Sequence, residues 1–338
     1  MVKLPEPNKK DGVCYAVTED GVELPVVDVT HPAFALDLSD SEQGGLVQGF
    51  MNESIPFASC PKPLRNLLLR ILLRGSVLAQ GIREAEGGFM SGLHTYLLKL
   101  GPEMLGSAYA KPIDRKIAAA LPAMSVRLRL QDVAHLMAET LLPALEAAPS
   151  RPLHFLNIAG GPAMDTLNAL ILLTRQAPGI LDRRPVTITV LDIDDAGPAF
   201  GRAALKALAA EGRPLKFSRI RFSHLRYDWS HPETLENVLE EARSQKAMVI
   251  CSSEGGLFEY GSDQEIEANL RMLRQFPEVL AVVGSVTRAD EPVMRVRQVS
   301  AAATRPRGLS AFRELAAKAG WDLARTIERP FSDQVALT

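Results

Sequence analysis

Residues 153–165 read Leu-His-Phe-Leu-Asn-Ile-Ala-Gly-Gly-Pro-Ala-Met-Asp, and this stretch decides the fold. A mainly apolar run, Leu153 to Ile158, gives way to small residues and Pro162, after which Ala163 to Gln176 carries apolar residues at helical spacing. A strand, a tight turn of small residues and a helix form the opening unit of a parallel sheet, because a parallel pair needs a crossover.

The same alternation continues to the C-terminus. Further strands are predicted at Val186 to Leu191, Ile220 to Leu225, Ala247 to Cys251, Val279 to Gly284, Asp322 to Glu328 and Asp333 to Leu337, for a total of seven. Helices are predicted between them at Pro198 to Ala210, Pro232 to Gln245, Asp263 to Gln275 and Leu309 to Ala319, the last closed by Gly320. The turn around Pro330 is too short for a crossover, so the final two strands should pair antiparallel.

Upstream the pattern changes near the loop 147–152, which divides the chain into residues 1–147 and 148–338. The first part opens with short β-like runs, Val13 to Val17 and Glu23 to Val29. It then reads as helices over Leu64 to Glu84, Ser91 to Leu100, Ile113 to Leu121 and Ser125 to Leu145. It is a mostly helical lid over the sheet, suited to shaping a substrate pocket.

Composition excludes several classes. The chain has 338 residues, is 46% hydrophobic and 23% charged, and has a formal net charge of -2. It can bury an ordinary core and has no general electrostatic pull toward nucleic acid or anionic lipid. Cys14, Cys60 and Cys251 are far apart, with no spacing suited to a metal, and fit reduced thiols in a cytoplasmic protein. The N-terminal MVKLPEPNKKDG lacks the apolar segment of a secretory signal. The most apolar stretch, Leu67 to Ala79, is cut by Arg70, Arg74 and Gly75 and reads as a buried or inter-subunit helix, which keeps a homodimer in view.

Ligands of open parallel sheets bind at the carboxyl ends of the strands, where the strand order reverses. After the first strand, Ala159, Gly160 and Gly161 let a backbone approach a ligand closely; they also suit a plain tight turn. The second strand ends in Asp192, able to accept two hydrogen bonds from a ribose diol, with Ile193 beside it. Asp194 and Asp195 read as acids favouring the next helix start. The third strand leads to Asp228 and Trp229, an acid for an exocyclic amine and a ring for a base, or a turn residue and a core residue. The fourth runs into Ser252, Ser253 and Glu254, with Tyr260 six residues on. Glu254 suits an ammonium group or a proton acceptor as well as it suits an exposed loop acid. In the helical part, His94 and Tyr96 fit either packing or substrate contact, and Arg127 and Arg129 either a carboxylate clamp or an ion pair.

In this order and spacing, Leu153 to Thr338 resembles the class I S-adenosylmethionine-dependent methyltransferases, a Rossmann-like α/β family. The resemblance implies that Ala159, Gly160 and Gly161, with Asn157 where the family has an acid, follow the methionine part of the cofactor. It further implies that Asp192 holds the ribose and that Asp228 and Trp229 meet the adenine. A looser likeness, to the leucine carboxyl methyltransferase-like branch, rests on Glu254-Gly255 and Tyr260. The implied activity is methyl transfer to a small-molecule acceptor, without metal. The family's glycine-rich loop is reduced here to Ala159-Gly-Gly161-Pro-Ala163, which leaves a non-catalytic protein of this fold as a rival. A dinucleotide oxidoreductase is a second rival, weakened by the lack of Gly-x-Gly-x-x-Gly.

Overall fold

The structure, a computed structural model, describes residues 5–58, 75–84, 89–109, 111–216, 218–299 and 303–338. The first part of the predicted helix from Leu64, with the apolar run from Leu67 to Leu73, and Cys60 lie outside the described residues. The end of that helix is α2, Val77–Glu84.

The N-terminal part opens with a hairpin of β1, Tyr15–Val17, and β2, Glu23–Pro25, shorter than predicted. Val27 and Val29 are buried, but side chains rather than a strand satisfy their amides. Val27 N donates to Tyr96 Oη at 3.1 Å and Val29 N to Asn168 Oδ1 at 2.8 Å. A helix that was not predicted, α1, spans Asp40–Ala58. Gly44, Gly45 and Gly49 blur its apolar period, although Ser39 and Glu42 cap its start reciprocally. There follow α3, Gly92–Leu100, α4, Pro112–Ala119, and α5, Leu121–Ala147; Pro112 and Pro122 stand in the first turns of the last two.

The second part is a seven-stranded sheet. Its strands are β3, Leu153–Ile158; β4, Val186–Asp192; β5, Ile220–Arg226; β6, Met248–Ser253; β7, Val279–Thr287; β8, Leu323–Glu328; and β9, Ser332–Leu337. The order is β5-β4-β3-β6-β7-β9-β8, and only β9 runs antiparallel, inserted between β7 and β8. This is the predicted Rossmann-like arrangement. Helices α6, Met164–Gln176; α7, Ala196–Leu208; α8, Glu233–Ser244; α10, Asp263–Arg274; and α12, Gly308–Lys318, match predicted ones within two residues at each end. The short α9, Leu257–Tyr260, and α11, Glu291–Val299, were not predicted.

β3, β4, β6 and β9 are buried along their whole length, as strands covered on both faces are. One apolar cluster runs from Val13 and Leu24 through Tyr96, Leu130 and Met137 to Phe155, Leu170 and Val283, so helical part and sheet share a core. A second, on the other face, gathers Leu156, Phe258, Phe312 and Trp321. No helix among the described residues is long and apolar enough to cross a membrane.

Candidate active site

β3 pairs in parallel with β4 on one side and β6 on the other, so the strand order reverses at its carboxyl end. A cavity of about 820 Å³ opens there, within the range typical of small-molecule sites. Loops after β3, β4, β5 and β6 form one side of it; α3, α5 and α11 with the segment before α3 form the other.

The bend after β3 is tightly wound: Ala159, Gly161 and Ala163 have φ of 52°, 53° and 54°. Gly161 meets Gly92 and Gly197 so closely that a Cβ on it would lie 2.8 Å from Gly92 Cα. Asp192 fastens this bend. One carboxylate oxygen accepts from Gly161 N and the other from Asp194 N, both at 2.9 Å. Burial raises the Asp192 carboxyl above its usual range, only partly offset by these two amides. Asp194 accepts from Gly92 N at 3.0 Å, tying the start of α3 to the sheet. Ile193 stays 47% exposed on the cavity rim.

Asp228 and Trp229 line the same cavity as Asp192 and the bend. Asp228 is exposed, and its Oδ1 accepts from Ser230 N and Oγ at 3.0 and 2.7 Å, which holds its carboxyl below the usual range. Phe89 packs edge-on against both Trp229 and Tyr260, each with ring centroids 5.1 Å apart. Three rings from distant segments thus meet at one wall.

At the base lies a buried charge network. Glu254, 2% exposed, is ion-paired to Lys99 and to Arg129 at 3.1 Å, and Arg129 also reaches Glu259 at 3.1 Å. Burial alone would push the Glu254 carboxyl up, but the two cations outweigh it and hold it low. Burial likewise works against charge on Arg129, and Glu259 and Glu254 overcome it. Two cations and two carboxylates balance. Tyr260 is kept protonated, since burial and then Glu259 push its phenol up.

Several residues expected in the site lie behind its wall. Asn157 is fully buried, bracing the bend from below: its Nδ2 donates to Asp165 Oδ1 at 2.7 Å and Ser252 Oγ at 2.9 Å, and a Cβ on Gly160 would strike its Oδ1. Ser252 takes part in that brace, and Ser253 Oγ caps Leu257 N at 3.0 Å, so neither faces the cavity. Tyr96 is wholly buried, its hydroxyl donating to Pro25 O at 2.5 Å. His94 bonds Ser91 Oγ at 2.9 Å and packs against Gly81. Arg127 turns toward Gly101 and Phe34 O, and Arg129 takes the inward position instead.

The sequence reading missed Lys99, Ser125, Glu259 and Arg297 as cavity residues, whereas Phe89 lies in the aromatic, glycine-containing helix start, residues 88–96, that the sequence marks as able to meet a ligand. Lys99 left a trace: it is a lone cation in the apolar run Leu97-Leu-Lys-Leu100. Among the described residues no group of His, Cys, Asp and Glu could hold a metal ion.

No protein-family model matches the chain, and no curated protein does either. Solved structures align with it at low identity. Human N-acetylserotonin methyltransferase is 12% identical over 90% of this chain and 98% of its own, with a TM-score of 0.35. The mitomycin 7-O-methyltransferase MmcR is 13% identical over 77% of this chain, with a TM-score of 0.38. The chain spans 66% of MmcR's length. The O-methyltransferase NcsB1 from neocarzinostatin biosynthesis is 16% identical over 96% of this chain and 80% of its own, with a TM-score of 0.36.

Proposed function

We propose that this chain is an S-adenosylmethionine-dependent methyltransferase acting on a small molecule, with transfer to a hydroxyl or carboxylate oxygen. The observation that carries the reading is the shared cavity. Asp192 and Asp228, ending and following successive strands, face one space with Trp229 and the Ala159 to Gly161 bend.

The residues present fit the cofactor. An ionised carboxylate has about four acceptor positions; Asp192 uses one on Gly161 N and one on Asp194 N, leaving capacity for a ribose diol. Trp229 and Ile193 offer apolar surface to a base, and Asp228 offers its second oxygen to an exocyclic amine. When bound, the cofactor supplies an electrophilic methyl group on a cationic sulfur.

The chain's own part is then to align and to exclude water. The wall shared by α3, α5 and the sheet loops encloses the acceptor end. Glu254, pinned by Lys99 and Arg129, is a poor proton acceptor and instead fixes both cations. Tyr260, a neutral phenol on the wall, is placed to donate a hydrogen bond. A carboxylate acceptor needs no base.

Calorimetry with S-adenosylhomocysteine, with NADH as control, tests the reading. The expected results are binding of the first alone and at least a tenfold loss in Asp192→Ala, from charge-assisted hydrogen bonds worth about 1.5–3 kcal/mol each. No thermal stabilisation at saturating S-adenosylhomocysteine would end the proposal.

A further inference from the structure

The part of the cavity away from the Asp192 and Asp228 wall has a different character. Ile117 and Ala123, from α4 and α5, and Val293 and Val296, from α11, give it an apolar lining, with Phe331 from the turn before β9. Among the described polar residues of this lining, two lack a partner of their own. Ser125 Oγ is buried on α5, 5% exposed as a residue, with no hydrogen-bond partner. A buried hydroxyl without a partner is costly and rare, and one on a cavity wall is satisfied by what enters the cavity. Arg297, one residue beyond Val296 on α11, is the second. Lys99 and Arg129 are neutralised by Glu254 and Glu259, whereas Arg297 has no ion-pair partner among the described residues.

We propose that this region selects an organic acid as acceptor: a flat apolar body between α5 and α11, its carboxylate on the Arg297 guanidinium and a polar substituent on Ser125. The inference rests on the methyltransferase reading for the meaning of "acceptor", but the binding it claims is separable. Arg297 is exposed, so its guanidinium stands at the open edge of this apolar lining, and it favours a monoanion over the matching neutral molecule because guanidinium and carboxylate meet through two parallel hydrogen bonds. The amino-acid end of the cofactor is a second source of carboxylate. Lys99 and Arg129 are already paired with Glu254 and Glu259, so the two sources of carboxylate are separated by the last arm of the test.

The test uses the full chain with 2-naphthoate and biphenyl-4-carboxylate as probes, each against its carboxamide, by calorimetry at neutral pH with and without saturating S-adenosylhomocysteine. The acids should bind at least tenfold tighter than the amides. Arg297→Gln should bring the acids down to the amide level, a loss of about ten- to a hundredfold, and Arg297→Lys should keep part of the preference. Ser125→Ala should weaken binding of acceptors bearing a hydroxyl more than of those without one. Equal binding of acid and amide, no acid binding at millimolar concentration, or an Arg297→Gln variant that keeps the preference overturns the proposal. A further arm compares S-adenosylhomocysteine with 5′-methylthioadenosine, which lacks the amino-acid end. If Arg297→Gln narrows the gap between those two, Arg297 serves the cofactor and the proposal fails. Failure of S-adenosylhomocysteine to bind at all removes the methyltransferase reading, and the acid preference measured without it still decides this one.

Discussion

Replacing Glu254 by Gln tests the buried network most directly. Glu254, Lys99 and Arg129 are 2%, 4% and 8% exposed, so all three charges lie out of water. In Glu254→Gln the Lys99 ammonium loses its carboxylate, and Arg129 keeps only Glu259. Breaking a buried ion pair by removing one partner costs about 3–5 kcal/mol, because the remaining charge is left uncompensated. With an unfolding entropy of about 2.1 cal/mol/K per residue, a chain of this length should lose roughly 4–7 °C in Tm. Urea titration and thermal scans followed by circular dichroism give both numbers. Adding Lys99→Met removes the orphaned charge, so the double variant should recover most of the loss. A loss under about 1 kcal/mol, or no rescue by Lys99→Met, would refute the argument that Glu254 is held as a counter-ion.

Other outcomes follow from single contacts. Tyr96→Phe leaves the Val27 amide and the Pro25 carbonyl without their buried partner, and should cost about 1–3 kcal/mol while S-adenosylhomocysteine affinity stays put; a change in affinity would return Tyr96 to the site. Gly161→Ala combines a left-handed φ of 53° with a Cβ placed 2.8 Å from Gly92 Cα. It should destabilise by at least about 1 kcal/mol and weaken the ligand, so wild-type melting and affinity would contradict the tight bend. Burial holds the His154 ring down to about 4, so it is neutral when folded and takes up a proton when unfolded below its ordinary 6.5. Its share of stability is complete above pH 6.5 and falls by up to about 3 kcal/mol as pH drops toward 4. His154→Gln should lack that loss, so the difference between the wild-type and variant stability curves should itself change as pH falls from 6.5 toward 4, and parallel curves would refute it.

Much of the sheet was legible because apolar runs ending in acids are local features: Leu191-Asp192 announces both a strand and its end. The position of β9 between β7 and β8 was not, since pairing order is settled by contacts across the fold. Nor was the facing of Asn157, Ser252 and Ser253. A strand exposed on one face shows by alternation which side is wet, but β3 and β6 are buried on both, and the sequence loses that parity. Lys99 and Glu254 are 155 residues apart, and no local pattern pairs them. The acids at strand ends could therefore be named from the sequence, whereas the opposing wall came only with packing.

The meeting of Gly92, Gly161 and Gly197 bears on attempts to re-engineer this protein. Their backbones touch without intervening side chains, and the Asp194 carboxylate bolts the α3 start to the same point. A chimera that imported a foreign N-terminal half to change acceptor scope would have to reproduce that bare contact to the ångström. Swapping side chains on α4, α5 and α11, and leaving the junction alone, is the gentler route to altered selectivity.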